Sequence, residues 1–178
     1  SSPGSKGSVA LGGCSPAGPP LGAREWRSGA MPTQVLQCGG VMVYQLLCGR
    51  EMAKGNQMAE GMANYCYLIV NTLNRTAIAV DAAWDVEGLY ALAQELGVTV
   101  RGSIYTHYHF DHCGGDVHPM FTQGKEVNLS GAKEVEARGG QVWAGAGDVE
   151  KIKKQCHLAK DVSSLGDGDV IDCGDLVL

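Results

Sequence analysis

The chain has 178 residues, a formal net charge of −5 and an apolar content of 44%, which allows one domain with a hydrophobic core. This acidic balance lacks the basic patches that bind nucleic acid, so no nucleic-acid partner is expected. No apolar run reaches the length needed to span a bilayer, so no membrane partner is expected either.

The first 33 residues differ in composition from the remainder. They hold five of the six prolines, together with many glycines and serines, and such a segment buries too little apolar surface to fold. We predict a disordered tail at 1–33 and a domain at 34–178. We expect a cytoplasmic location, but basic Lys6, Arg24 and Arg27 against a single acidic Glu25 leave organellar targeting open.

The seven cysteines are odd in number and include no CxxC pair. This pattern favours reduced, structural thiols over a disulfide framework. Cys113 directly follows a histidine-rich string, yet free cysteine usually packs as a small apolar residue, and we expect packing here.

The first half of the domain alternates apolar runs with turn residues. Val41 to Leu47, Asn64 to Val70 and Ala77 to Val80 are predicted strands, the last two joined by a hairpin turn at 71–76. Residues 49–63 are predicted to be a loop, whose methionines we expect to fill gaps in the core rather than to line a pocket.

A helix and a strand follow this hairpin. Asp85 is a suitable N-cap for a helix with apolar residues at helical spacing, and Gly97 is suited to end it. The predicted strand Val98 to Tyr105 then leads into the histidine-rich string. Strand, helix and strand in this order predict an α/β fold with its chemistry at the carboxyl end of a strand.

The remaining segments are shorter. We predict a helix at Ala132 to Arg138, a strand at Gln141 to Ala144 and a helix capped by Asp148. Turns at 166–169 and 173–175 should be followed by strand residues at 170–171 and 176–178.

The string THYHFDHCGG at 106–115 has the residues and spacing of a metal site. Alternate side chains of an extended segment point the same way, so His107 and His109 can face one cation. After a turn, Asp111 and His112 can face a second cation beside it. Imidazole and carboxylate together suit zinc, and also iron or manganese. His118 and His157 lie outside this spacing and are not expected to be ligands.

The string matches the HxHxDH signature of the metallo-β-lactamase superfamily. Over roughly residues 41–178 the sequence resembles the hydroxyacylglutathione hydrolase (glyoxalase II)-like branch of that superfamily. The resemblance implies an α/β fold, α+β in some schemes, which would be the N-terminal half of a metallo-β-lactamase-type αββα sandwich.

The resemblance also implies roles for individual residues. His107 and His109 would bind the first of two zinc-type ions, with Asp111 and His112 binding the second. Asp111 would also orient the nucleophile, as a catalytic residue. Asp81, at the end of its strand, matches an aspartate that lies under the ligands and orients them.

The family's later ligands, a histidine in a GHTPGS-like string, a bridging aspartate and a last histidine, do not occur in this sequence. We therefore expect the chain to belong to a longer enzyme. By resemblance that enzyme would use a metal-activated water to hydrolyse a small-molecule substrate, a thioester such as an acylglutathione. A superfamily nuclease, lactamase or sulfur-transforming oxygenase, and a non-catalytic metal-binding chain, stay open, as does the oligomeric state.

Overall fold

The computed structural model describes residues 15–16 and 32–171, which form a mixed α/β fold around one large sheet. In chain order the strands and helices are β1 Ser15–Pro16, β2 Gln34–Cys38, β3 Val41–Leu47, α1 Gln57–Met62, β4 Tyr65–Asn71, β5 Thr76–Val80, α2 Val86–Leu96, β6 Thr99–Tyr105, α3 Phe110–Cys113, β7 Gly115–Asp116, β8 Asn128–Leu129, α4 Ala132–Ala137, β9 Gln141–Gly145, α5 Val149–Gln155 and β10 Ser163–Leu165.

The large sheet has eight strands in the order β1-β2-β3-β4-β5-β6-β9-β10. Strands β1 to β5 pair antiparallel with their neighbours, whereas β5, β6, β9 and β10 run parallel. Parallel neighbours need a crossover, and helices α2, α4 and α5 lie in the three crossovers here. The predicted α/β class is therefore confirmed, and the carboxyl ends of β5 and β6 meet at the same edge of the sheet.

Alternation along the strands separates two apolar faces. In β5, Ala77 and Ala79 belong to the main core, whereas Ile78 between them belongs to a second cluster. The main core includes the buried face of α2. The second cluster covers the other face of the sheet, where Ile171 packs with partly buried side chains that include Ile104 and Trp143.

The predicted helix at 86–96 and its two ends are confirmed. The Asp85 carboxylate accepts a hydrogen bond from the backbone N–H of Gly88 at 2.8 Å, and Gly97 ends the helix in the left-handed conformation. Its buried residues Val86, Leu89 and Leu92 have the predicted apolar spacing.

Helix α1 contradicts the prediction of a loop at 49–63. Asn56 caps this six-residue helix by accepting hydrogen bonds from two backbone N–H groups, and Ala63 ends it with φ of 51°. A helix this short has too few turns to show apolar periodicity. Met52 is buried as predicted, but Met62, at the end of α1, lines a cavity described below.

Several expectations at the chain ends fall on residues outside the described ranges. The tail expected at 1–33 lies largely outside them, although Ser15–Pro16 forms a two-residue strand paired with β2. The strand expected at 176–178 also lies outside them. The turn at 166–169 is confirmed, whereas residues 170–171 are not in a strand.

Among the cysteines that the structure describes, one differs from the prediction. Cys48, Cys66, Cys113 and Cys156 are free and buried, as expected of structural thiols, but Cys38 is disulfide-bonded. Among the described residues, no helix is long and apolar enough to cross a membrane.

Candidate metal centre

The centre is built where β5 and β6 end side by side. Asp81 follows β5 with φ of 53°, and its carboxylate accepts hydrogen bonds from the backbone N–H and the hydroxyl of Thr106, both at 2.8 Å. The same carboxylate lies 2.9 Å from Nδ1 of His112. Asp81, which is buried, therefore joins the two strand ends and holds one histidine of the string.

The four predicted ligands lie together in two pairs. Nε2 of His107 is 3.1 Å from Nδ1 of His109, and Nε2 of His112 is 3.6 Å from Oδ2 of Asp111. The two pairs adjoin at the rings of His107 and His112, whose centroids are 4.2 Å apart. The extended segment before α3 and the first turn of α3 thus bring together the residues that the spacing predicted.

The donor atoms fit zinc in part. Two nitrogens bound tetrahedrally at 2.0–2.1 Å would be about 3.3 Å apart, close to the separation seen between His107 and His109. Within residues 15–16 and 32–171, however, no group of three or more histidine, cysteine, aspartate or glutamate side chains is arranged to hold a metal ion. Each pair therefore supplies two donors, where a catalytic zinc usually has three protein ligands.

The two histidines nearest the middle of the centre have opposite pKa shifts. The hydrogen bond to Asp81 raises the pKa of His112, against the opposing effect of burial. Burial lowers the pKa of His107, and the neighbouring imidazoles of His112 and His109 lower it further. His107 is thereby biased toward the neutral imidazole that binds metals.

Two further residues hold Asp111, a role that no pattern in the sequence indicated for either of them. The side-chain amide of Asn64 donates to Oδ2 of Asp111 at 2.8 Å and to its backbone oxygen at 3.1 Å. The indole N–H of Trp84 donates to the same backbone oxygen at 2.8 Å. Asn64 lies 47 positions from Asp111, and a polar residue before a strand carries no signal of such a distant partner.

The other candidates lie apart from the two pairs. Cys113 is fully buried and packs against Cys156 with their sulfurs 3.6 Å apart, which confirms the packing role. Nε2 of His157 is 2.7 Å from the carboxylate of Asp116. Nδ1 of His118 accepts the backbone N–H of Met120.

A cavity of about 680 Å³ opens beside the centre. His109 and Asp111 lie in its wall, and most of the remaining wall is apolar, with Met62, Phe110 and Val117 among its residues. A concave apolar surface with a few convergent polar groups is the usual form of a small-molecule site.

Parts of the chain are similar in sequence to known proteins. Residues 59–118 match the family model of the metallo-beta-lactamase superfamily. A probable polyketide biosynthesis zinc-dependent hydrolase, PksB of Bacillus subtilis (strain 168), is 36% identical over 53 residues, 30% of this chain and 24% of that protein. The cytoplasmic isozyme of hydroxyacylglutathione hydrolase from Saccharomyces cerevisiae is 34% identical over 75 residues, 42% of this chain and 27% of that protein.

The fold has a solved counterpart. A metallo-beta-lactamase from Staphylococcus aureus subsp. aureus COL superposes with a TM-score of 0.52 at 15% identity, covering 76% of this chain and 31% of that one. Together with the match at 59–118, this fold confirms the resemblance to the metallo-β-lactamase superfamily. The matched parts span only about a quarter of the two curated relatives' length.

Proposed function

We propose that this chain carries the His107, His109, Asp111 and His112 part of the metal centre of a metal-dependent hydrolase. The observation that carries the proposal is the pairing of His107 Nε2 with His109 Nδ1 at 3.1 Å. Beside that pair lies His112, which is held by Asp81 and faces Asp111.

The cofactor that suits these donors is zinc, with two ions in the complete enzyme, and the same donors would also accept iron or manganese. The relative from Bacillus subtilis is named a zinc-dependent hydrolase. When bound, the metal would lower the pKa of a water molecule so that hydroxide forms near neutral pH.

The side chains around the proposed site would then have separate roles. His107 and His109 would hold one ion, and His112 with Asp111 the other. Asp81 accepts from Nδ1 of His112, so the neutral form of this ring leaves Nε2, the atom that faces Asp111, free to bind a metal. Asp111, held by the Asn64 amide, would orient the attacking water by accepting its hydrogen bond.

The substrate that we favour is a thioester such as an acylglutathione. The name of the yeast relative supports this choice, as does a largely apolar cavity that opens next to His109 and Asp111. The same relative is a cytoplasmic isozyme, and we propose a cytoplasmic location on that basis.

A second candidate is a non-catalytic metal-binding chain. It is favoured by the lack, among the described residues, of any group of three or more side chains arranged to hold an ion. This alternative predicts less than one tightly bound metal per chain and no thioester hydrolysis.

The proposal is tested by replacing both His107 and His109 with alanine. The substituted protein should lose zinc, measured by elemental analysis after gel filtration, and should lose hydrolysis of an acylglutathione. His157→Ala is the matched control, because His157 pairs with Asp116 and should leave both readouts unchanged. Zinc retention that survives the double substitution would remove the basis of the proposed site.

A further inference from the structure

Most of the apolar wall of the cavity beside the proposed metal centre comes from three separate parts of the chain. Met62 comes from the end of α1 and Phe110 from the start of α3, while Val117, Pro119 and Phe121 come from the loop between β7 and β8. The polar wall residues His109 and Asp111 belong to the proposed metal centre. The cavity therefore runs from the proposed reaction centre to an apolar surface.

The 117–127 loop is held in place by its own hydrogen bonds. The backbone N–H of Val117 donates to Val127 at 2.9 Å, beside the β7–β8 pair. At its tip, Gly124 and Phe121 donate to the carbonyls of Pro119 and His118, both at 2.9 Å. The loop thus holds Phe121 against the ring of Phe110, with centroids 5.2 Å apart.

Exposed apolar side chains concentrate in the segment of the chain that supplies much of the cavity wall. Seven large hydrophobic residues are exposed in the described part of the chain, and four of them lie between positions 108 and 127. These four are Tyr108, Met120, Phe121 and Val127. Exposing apolar surface is unfavourable, so a concentration of this kind next to a reaction centre indicates a binding surface.

The described wall of the cavity offers an anionic acyl chain no cationic side chain. Two aspartates, Asp111 and Asp116, lie in the wall, and none of the described wall residues is a lysine or arginine. Lys151 lies over the ring of Tyr108, 4.6 Å from its centroid, but its ammonium is also 3.3 Å from the Asp148 carboxylate. Away from the proposed metal ions, a carboxylate on the acyl chain would therefore find no lysine or arginine in the described cavity wall to pair with.

We propose that this cavity binds the acyl group of the substrate, and that it selects an uncharged, apolar acyl chain. Phe121 is the specificity-determining residue, since it lines the cavity, contacts the Phe110 ring and is itself 48% exposed. The inference rests on the proposed thioester hydrolysis, because that function places the scissile carbonyl beside His109 and Asp111.

The experiment uses the zinc-loaded full chain and two sets of probes. The first set is the acetyl, butyryl, hexanoyl and octanoyl thioesters of N-acetylcysteamine, with the succinyl thioester as a charged counterpart of butyryl. The second set is the non-hydrolysable S-ethyl and S-octyl thioethers of the same thiol, whose binding is measured by calorimetry. Phe121→Ser is compared with Leu73→Ser, since Leu73 is 82% exposed and lies beyond the far end of β4.

We expect kcat/KM to rise about twofold to fourfold for each added methylene, as burial of a methylene in a partly open cavity would give. The S-octyl thioether should bind more tightly than the S-ethyl thioether, and the succinyl thioester should react about tenfold more slowly than the butyryl thioester. Phe121→Ser should reduce the octanoyl-over-acetyl preference about tenfold, whereas Leu73→Ser should leave it unchanged.

The two proposals fail in different ways. Thioether binding that depends on chain length and on Phe121, without hydrolysis of any thioester, would support the acyl site and count against thioester hydrolysis by this chain. Hydrolysis and thioether binding that are both indifferent to chain length would overturn the acyl site. An equal loss of the octanoyl-over-acetyl preference in Leu73→Ser and Phe121→Ser would overturn the acyl site as well.

Discussion

Replacing Asp81 with alanine or with asparagine should rank the two variants in opposite order for stability and for metal affinity. Its carboxylate can only accept hydrogen bonds, so Nδ1 of His112 must be the donor in that contact. In the neutral ring this leaves Nε2, which faces Asp111, without a proton. Asp81→Asn would place an amide N–H against Nδ1, and the proton would move to Nε2.

Asp81→Asn should be more stable than Asp81→Ala. Asp81→Ala removes the acceptor for the backbone N–H and the hydroxyl of Thr106, at about 1 kcal/mol each because Thr106 is exposed and can reach water. A φ of 53° adds about 1 kcal/mol for alanine, whereas asparagine tolerates this conformation. We expect a loss of about 3 kcal/mol in Asp81→Ala and about 1 kcal/mol in Asp81→Asn, measured by urea unfolding of the zinc-free protein.

Metal affinity should show the reverse order. In Asp81→Ala, His112 loses its orienting partner but can still present an unprotonated Nε2, so zinc affinity should fall about 10- to 100-fold. In Asp81→Asn the amide stabilises the wrong tautomer, and affinity should fall further, measured by competition with a chelating dye. If the asparagine variant bound zinc as well as the native protein, the orienting role of Asp81 would be wrong.

Two further predictions concern the surroundings of the string. Asn64→Ala removes the amide that holds Asp111 and should lower zinc affinity about tenfold. The control is Asn128→Ala, which removes an exposed amide from β8 and should leave zinc affinity unchanged. Gly115→Ala should lower the free energy of unfolding by about 3 kcal/mol or more, because a Cβ would collide with the last carbonyl of α5 at a φ of 83°. Gly124→Ala, at a φ of 81° but in open space, should lower it by only about 1 kcal/mol; equal losses in thermal melts would contradict the steric argument.

Elements with strong local signals were predictable from the sequence. Strand β3 has the predicted bounds, and α2 has the predicted cap, apolar spacing and terminal glycine. Helix α1 was not predictable, because six residues with a glycine inside give no periodic pattern. The same limit applies to residues 170–171, whose β-prone composition does not supply a pairing partner.

The sequence by itself determined which side chains lie together in the proposed metal centre. Four ligand-type side chains within six positions must be neighbours in almost any local conformation, so their grouping needs no long-range information. Only the tertiary structure decided what holds and surrounds them. Asp81 reaches His112, and Asn64 reaches Asp111, because parallel and antiparallel strand pairing brings the ends of distant strands to one edge of the sheet. Such contacts depend on strand order and register, which local patterns of residues do not encode.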